Sequence, residues 1–461
     1  VEQISNVEIA PVIIDLISIT PVLGVGLPVE KIPYNVQSSS SSDLDQGANL
    51  DITDLMERSF NSVNINEAAN NPLQPDLQYR GFTASPLLGL PQGLAVYQNG
   101  VRMNEVFGDT INWDLIPEGS IHSMNLIGGS NPVFGLNTLG GTISIETKNG
   151  FNFNGTNVEL YNASTHDRNV LSIETGGNDG TVGYYGTVQH FDEQGWRDAS
   201  PSNALNFFGA LSYRDDYTTS LDLNVNYANT DLIGNGAIPI EFASQDYDGI
   251  FTSPDQTLNE VFLVQAQGAH WFNDDRQISG NAFYRRTKTQ TFNGDGTEFE
   301  ECTVDGVEVL VEADEDDLEG LNCAGGITSG QLASIGGEVV ETQNGVVSSE
   351  ANTGFEPDDL NGLQNRSDRT QKYYGFMLQN AFYDDLFDKS NQLITGAGYT
   401  YGDVVFNSSQ ELGLLNADRS TRGTNNFVPD EGTALDSEVS TMSLFFTDTF
   451  SATDKLDLTF S

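Results

Sequence analysis

Basic residues are scarce in this 461-residue chain: 19 Lys and Arg stand against 66 Asp and Glu, a formal net charge of −47. That balance excludes a nucleic-acid-binding protein, which needs a basic footprint, and a polybasic membrane-surface protein. Cysteine is nearly absent. Cys302 and Cys323 are too few for a cysteine metal centre, and no metal is expected. They share one polar, acidic stretch, where a local disulfide formed in an oxidising compartment is the expectation. Four histidines, His122, His166, His190 and His270, are scattered, with no His-Glu-x-x-His pair. Gly24-Val25-Gly26 lacks the third glycine of a dinucleotide loop, and no Gly-x-Ser-x-Gly elbow exists. Neither an enzyme nor a cofactor is expected. No basic leader opens the chain at Val1, so either a signal peptide was removed or the sequence is a fragment. Long uninterrupted apolar runs are missing too. Ile9 to Val29 comes nearest, but Pro11, Pro21, Pro28 and Asp15 oppose a spanning helix. It is expected to be an extended segment without a core of its own. Repeats of fixed period, the mark of a secreted β-solenoid, are absent.

What the chain does hold is β-forming. Phe 26 and Tyr 16 stand beside Met 5, with 38% hydrophobic residues and 47 glycines, a folded, strand-rich profile. Ser38 to Ser42 suggest a flexible link or turn. Ile52, Leu55, Met56 and Phe60 follow an acidic start at helical spacing, which predicts a short helix. Leu94 to Tyr97 before Asn99-Gly100 predict a strand and a tight hairpin. Ile121 to Ile127 and Thr142 to Thr147 predict further strands.

After Gly150 the period becomes two. Leu221, Leu223, Val225 and Tyr227 alternate with Asp222, Asn224 and Asn226. Leu205, Phe207, Leu211 and Tyr213 share a face opposite Asn206 and Ser212, and Ile278, Ala282 and Tyr284 oppose Ser279, Asn281 and Arg285. Such dyads give a sheet with one apolar and one polar face. A soluble sandwich buries the apolar face; a membrane barrel turns it to lipid. Strands are expected near 156–164, 168–176, 181–191, 203–213, 217–229, 259–272, 276–291, 366–384, 389–407, 437–450 and 455–461. Their links alternate between short ones (177–180, 214–216, 273–275, 385–388, 451–454) and long ones (192–202, 230–258, 292–365, 408–436). Sorting loops by length onto two ends is the signature of an outer-membrane barrel. Tyr213, Tyr227, Trp271, Phe272 and Tyr284, near strand ends, suit its aromatic girdles. About eleven strands of a 22-stranded closure predict an open half barrel in a truncated chain.

The segment Arg80-Gly81-Phe82, then Gly93 to Asn104, then Asn112-Trp113-Asp114-Leu115-Ile116-Pro117 and finally Phe134-Gly135 to Lys148 resembles the plug of TonB-dependent outer-membrane receptors. The family's usual Arg-Gly-Pro before the closing motif is replaced by Gly128-Gly129-Ser130. The resemblance implies an extended leader over 1–27, a small α/β plug over 28–150 and the first part of a transmembrane barrel over 151–461. It further implies a TonB-interaction box at Ile14, Asp15, Leu16, Ile17, Ser18, Ile19 and Thr20, a β-branched run able to add a strand to a partner's sheet. The implied partners are TonB, outer-membrane lipid and a scarce extracellular solute, in the outer membrane of a Gram-negative bacterium. An iron-siderophore is the family's commonest cargo; cobalamin, haem, saccharides and peptides are carried as well. The plug's outward loops, Thr83 to Leu90 and Glu105 to Trp113, supply the candidate solute contacts Phe107, Asp109, Asn112 and Trp113. Arg80 and Arg102 either pair with acids of the barrel lumen or are solvated. The run Glu312 to Asp317 offers hard-cation ligands, but its spacing matches no calcium loop, and a solvated loop is expected. Two other readings compete: a passive porin, which would have no plug, and a secreted acidic adhesin.

Overall fold

The computed structural model describes residues 16–43, 52–215, 218–313, 321–348 and 350–461. Its first part is built on a five-stranded sheet of order β3-β9-β10-β7-β8. The strands are β3 (Asn35–Ser40), β7 (Leu94–Gln98), β8 (Val101–Arg102), β9 (Ile121–Gly128) and β10 (Gly141–Thr147). Only β7 and β10 run parallel among these pairs. Helix α1 (Ile52–Ser59) buries Ile52, Leu55 and Met56, the periodic residues of its sequence. A small sheet of β4 (Val63–Asn66), β5 (Asp76–Tyr79) and β6 (Phe82–Ala84) joins the same core through Leu77 and Tyr79. The Asn99-Gly100 hairpin holds both residues at positive φ, 48° and 78°, as a tight two-residue turn requires. A side chain on Gly100 would also collide with the carbonyl of Pro21.

Two expectations for the N-terminal part need correction. Ser38 to Ser40 are not a flexible link: they belong to β3 and pair with β9, and the Ser38 hydroxyl donates to Asn125 Oδ1 at 2.7 Å. An open edge of β9 supplied backbone partners that outweigh serine's weak strand propensity. Nor does the leader lack a core where it is described. β1 (Leu16–Ile17) pairs with β2 (Leu27–Pro28), and Ile17, Ile19, Val25 and Leu27 are buried against Ala95, Tyr97 and Ile127. The same cluster includes Ala381 and Ile394 of the large sheet.

That large sheet is antiparallel and eleven-stranded. It comprises β11 (Gly155–Ala163), β12 (Arg168–Asn178), β13 (Val182–Glu193), β14 (Ser202–Asp215), β15 (Thr219–Ile233), β16 (Asp255–Asn273), β17 (Arg276–Gly296), β23 (Gly362–Leu386), β24 (Lys389–Leu415), β25 (Thr421–Thr453) and β26 (Leu456–Phe460). Neighbours in sequence are neighbours in space, and β11 and β26 are open edges among the described residues. The alternation predicted from sequence has a physical orientation. Leu205, Phe207, Leu211, Leu221 and Leu223 are exposed, while Asp222, Asn224, Asn226, Gln265 and Arg285 are buried. An apolar outside and a polar inside suit a wall that faces lipid outward and a plug inward. Among the described residues no helix is long and apolar enough to cross a membrane, which does not bear on strands. Trp271 departs from the expected outer girdle. It pairs with buried Gln277 and stacks on Tyr383 at 5.4 Å, on the plug side.

Two expected loops are structured. The link 408–436 is mostly a tall hairpin, with β24 and β25 joined across 416–420. The link 292–365 contains a small unit of β18 (Glu300–Val304), β19 (Val307–Glu312) and β20 (Glu338–Val339), followed by the two-stranded β21 (Glu341–Thr342) and β22 (Gly345–Val346). Cys302 and Cys323 are disulfide-bonded within it. Its interior holds Val304, Val309, Val311, Ile327 and Leu332, apolar residues too dispersed for a periodic signal. Asp314 to Asp317 of the acidic run lie outside the described residues.

Candidate functional site

The outward loop after β8 is built around Glu105. Its side chain is buried, and Oε2 accepts from Arg285 Nη2 of β17 at 3.2 Å and from Gln371 Nε2 of β23 at 2.8 Å. Arg285 also donates to the carbonyls of Arg102, Met103 and Asn104 at 3.1, 2.7 and 3.0 Å. One wall side chain therefore caps a whole turn of the loop. Charge-assisted bonds of this kind are strong only when every partner is in place. Asn104 fixes the loop from the other side, donating to the carbonyls of Leu94 and Asp109 at 3.0 and 3.1 Å.

The four candidate contacts divide by placement. Phe107 is half-buried; its N–H donates to Gln371 Oε1 at 2.8 Å and its ring stacks on Phe406 at 5.2 Å. Asp109 is half-buried at positive φ, paired with Arg102 at 2.8 Å and hydrogen-bonded by Asn137. Burial pushes its carboxyl above the usual range, against the opposing pull of Arg102 and Asn137. Asn112 is buried, with Nδ2 3.5 Å from Glu105 Oε1. Trp113 is only 3% exposed; its ring lies in the core and Nε1 donates to the Ala84 carbonyl at 3.2 Å. Phe107 and Asp109 thus have surface to offer a solute, and Asn112 and Trp113 face inward. Exposed Leu88, Leu136 and Leu139 belong to the neighbouring segments, with Leu88 against Gly108. Arg102 pairs inside this unit rather than with a lumen acid, and exposed Arg80 lies 5.0 Å over the Tyr79 ring.

Asp114 ties the next turn to the wall. Its Oδ2 accepts from Thr230 of β15 at 2.6 Å and Asn259 of β16 at 3.0 Å. Oδ1 has no partner. Burial raises its carboxyl to about 6, more than those two hydrogen bonds lower it. Beside it, a cavity of about 670 Å³ separates the first unit from β11–β14, lined by Trp113, Asp114, Lys148, Arg168, Glu174 and Asn206. Lys148 pairs with Glu174 at 2.8 Å, and the Tyr185 hydroxyl donates to the same carboxylate at 2.6 Å.

The candidate coupling box lies partly in view. Ile14 and Asp15 fall outside the described residues. Leu16 and Ile17 form β1; Ser18 and Thr20 are buried with Ile17 and Ile19. The Thr20 hydroxyl donates to Gln379 Oε1 at 2.8 Å, and Gln379 Nε2 donates to the Val22 carbonyl at 3.2 Å. Sequence reasoning missed Glu105, Arg285, Gln371 and Gln379. Their one signal was being polar members of the inward dyads, which Arg285 shows and which does not say what each would meet.

Comparison with known proteins follows these features. Residues 28–142 match the TonB-dependent Receptor Plug Domain. No curated protein sequence matches the chain. Solved structures with a similar fold include the Pseudomonas aeruginosa receptor FpvA bound to a pyoverdine–iron complex, at 13% identity and a TM-score of 0.64, covering 94% of this chain and 52% of that one. The Escherichia coli K12 ferric-catecholate import receptor Fiu matches at 14% and 0.60, covering 96% and 60%. The Acinetobacter baumannii siderophore receptor PiuA matches at 12% and 0.60, covering 93% and 56%. The chain thus spans about half to three-fifths of the length of these receptors.

Proposed function

From a chain that carries a TonB-dependent receptor plug at 28–142 and the receptors' strand-walled fold, we propose an outer-membrane receptor that binds a scarce solute outside and imports it by energy-coupled plug movement. The solute class that fits is an iron-siderophore, the cargo named for the structural neighbours. The observation that carries the reading is the plug seated on the polar face of a lipid-facing wall, with its leader held beside it by Thr20 and Gln379. Phe107 and Asp109 are the solute contacts; Asn112 and Trp113 hold their loop in place. The run Ile14 to Thr20 is the box that an inner-membrane TonB partner engages by strand addition. Pulling on it would break the Thr20–Gln379 bond first, and the cavity beside Asp114 is the room into which the plug shifts.

The test is Ile17→Pro in the full-length receptor. Proline removes a backbone donor and opposes strand pairing. Uptake of a radiolabelled ferric siderophore should fall to background while surface binding and outer-membrane abundance stay at wild-type levels. Retained uptake would place the coupling segment elsewhere.

A further inference from the structure

One patch on the outer face of the wall sets like charges against each other. Outward residues of β17 run Tyr284, Arg286, Lys288, Gln290 and Phe292; on β23 they run Tyr374, Lys372, Thr370, Asp368 and Arg366. Arg286 stands directly opposite Lys372 in register. Like charges placed so destabilise an antiparallel pair, and with 66 acidic side chains to 19 basic this chain has little need to oppose two cations. Nearby acids answer only part of the charge. Arg286 lies 3.3 Å from Glu260 and Lys288 lies 3.5 Å from Asp368, with all four side chains substantially exposed. Lys372 is opposite Asp403 on β24 but has no ion pair within 4.0 Å among the described residues. Arg366 donates to Gln364 at 2.8 Å and lies 4.2 Å over the Phe292 ring.

The patch has a defined height. Tyr284, Tyr374 and Tyr401 form one row across β17, β23 and β24, and aromatic rows of this kind mark a bilayer interface. Arg286 and Lys372 are one dyad above it, roughly 7 Å along the strand, which is headgroup depth. Farther up, a groove of about 380 Å³ is bounded by Gln256, Leu258, Gln290, Phe292, Arg366 and Asp368. On the next strands the same level is acidic, with Asp403 opposite Glu438, so an anion is confined to β17 and β23.

We propose that this outer face binds a phosphorylated glycolipid of the outer leaflet. Its phosphate sits between Arg286 and Lys372, with Lys288 and Arg366 as further donors, and its saccharide lies in the groove over Phe292. The bound phosphate offsets the repulsion that the sequence builds in. This rests on the outer-membrane reading above.

The experiment uses the full-length receptor, purified in detergent and exchanged extensively, with native mass spectrometry and total phosphate as readouts. Wild type should retain phosphorylated glycolipid, and added bisphosphorylated lipid A should restore it after stripping. Dephosphorylated lipid A and inorganic phosphate should not. Arg286→Gln/Lys372→Gln should lower retention at least tenfold, with heat-modifiable gel mobility and siderophore binding unchanged. Arg276→Gln/Lys389→Gln, at the opposite end of the strands, is the control and should retain it. Equal retention by both double variants, or none by wild type, overturns the site. If the protein sits in the outer membrane and transports, that failure leaves the receptor reading intact; a protein absent from the outer membrane defeats both.

Discussion

In the plug, Leu94, Leu126 and Ile143 are fully buried among one another. In the wall, Leu211 and Leu444 are exposed, and the buried side chains are Asn226, Gln265 and Arg285. The two regions come from one chain with one set of hydrophobic residues. What differs is the solvent each expects. The plug buries its apolar residues away from water, at a gain of about 25 cal/mol per Å². The wall presents its apolar residues to lipid and uses its inner face for hydrogen bonds to the plug. Asn226 donates to the Leu115 carbonyl at 3.2 Å and Asn281 to the Gly100 carbonyl at 3.2 Å. Backbone groups of plug loops, which no strand satisfies, thereby find partners on the wall. The polar inner face is the complement of an irregular surface rather than the lining of an empty pore.

The contrast breaks most severely at Arg285. Arg285→Ala leaves Glu105 buried without its cation and three loop carbonyls without a donor. A loss of about 3–5 kcal/mol in plug docking is expected. Hydrogen exchange at residues 100–112 should rise, and cells should become permeable to large antibiotics, while the wall's strands stay protected. Unchanged exchange would mean that the plug is held elsewhere.

Leu444→Arg probes the outward side. In a water-facing strand an exposed leucine is replaced at little cost, within about 0.5 kcal/mol. Facing the middle of a bilayer, the same change should cost about 2–4 kcal/mol. Denaturant titration of the full-length protein in lipid and in detergent separates the two, and a negligible effect in lipid would refute the orientation of the wall.

Asp114 gives the smallest expected effect and sharpens the boundary between the regions. Its folded carboxyl titrates near 6 against an ordinary 3.8. Because that value is raised, its contribution to stability is fully present below about pH 4 and is lost as pH rises through 6, roughly 3 kcal/mol at most. Asp114→Asn, uncharged throughout, should flatten the pH dependence of plug docking between pH 4 and 7. A variant with the wild-type slope would assign that dependence to another group.

Much of the molecule was legible before any coordinates. Strict alternation at Leu221 to Tyr227 fixes the faces of β15 because strand side chains alternate with period two. Asn99-Gly100 fixes a hairpin because both positions need positive φ. The four candidate contacts were legible only as a loop. Phe107 and Asp109 kept exposed surface, but Trp113 went to the core because its large ring filled space beside Ala84, which a one-dimensional pattern does not reveal. The serines of β3 and the unit around Cys302 depended on partners far along the chain. So did the contact of Thr20 with Gln379, 359 residues apart. The sequence by itself determined the local periods, the turns and the polarity of each face, since these follow from backbone geometry and nearest neighbours. Only the tertiary structure decided which buried polar groups meet, because an unpaired hydrogen-bonding group is costly wherever it is buried and its partner is set by how the plug docks on the wall.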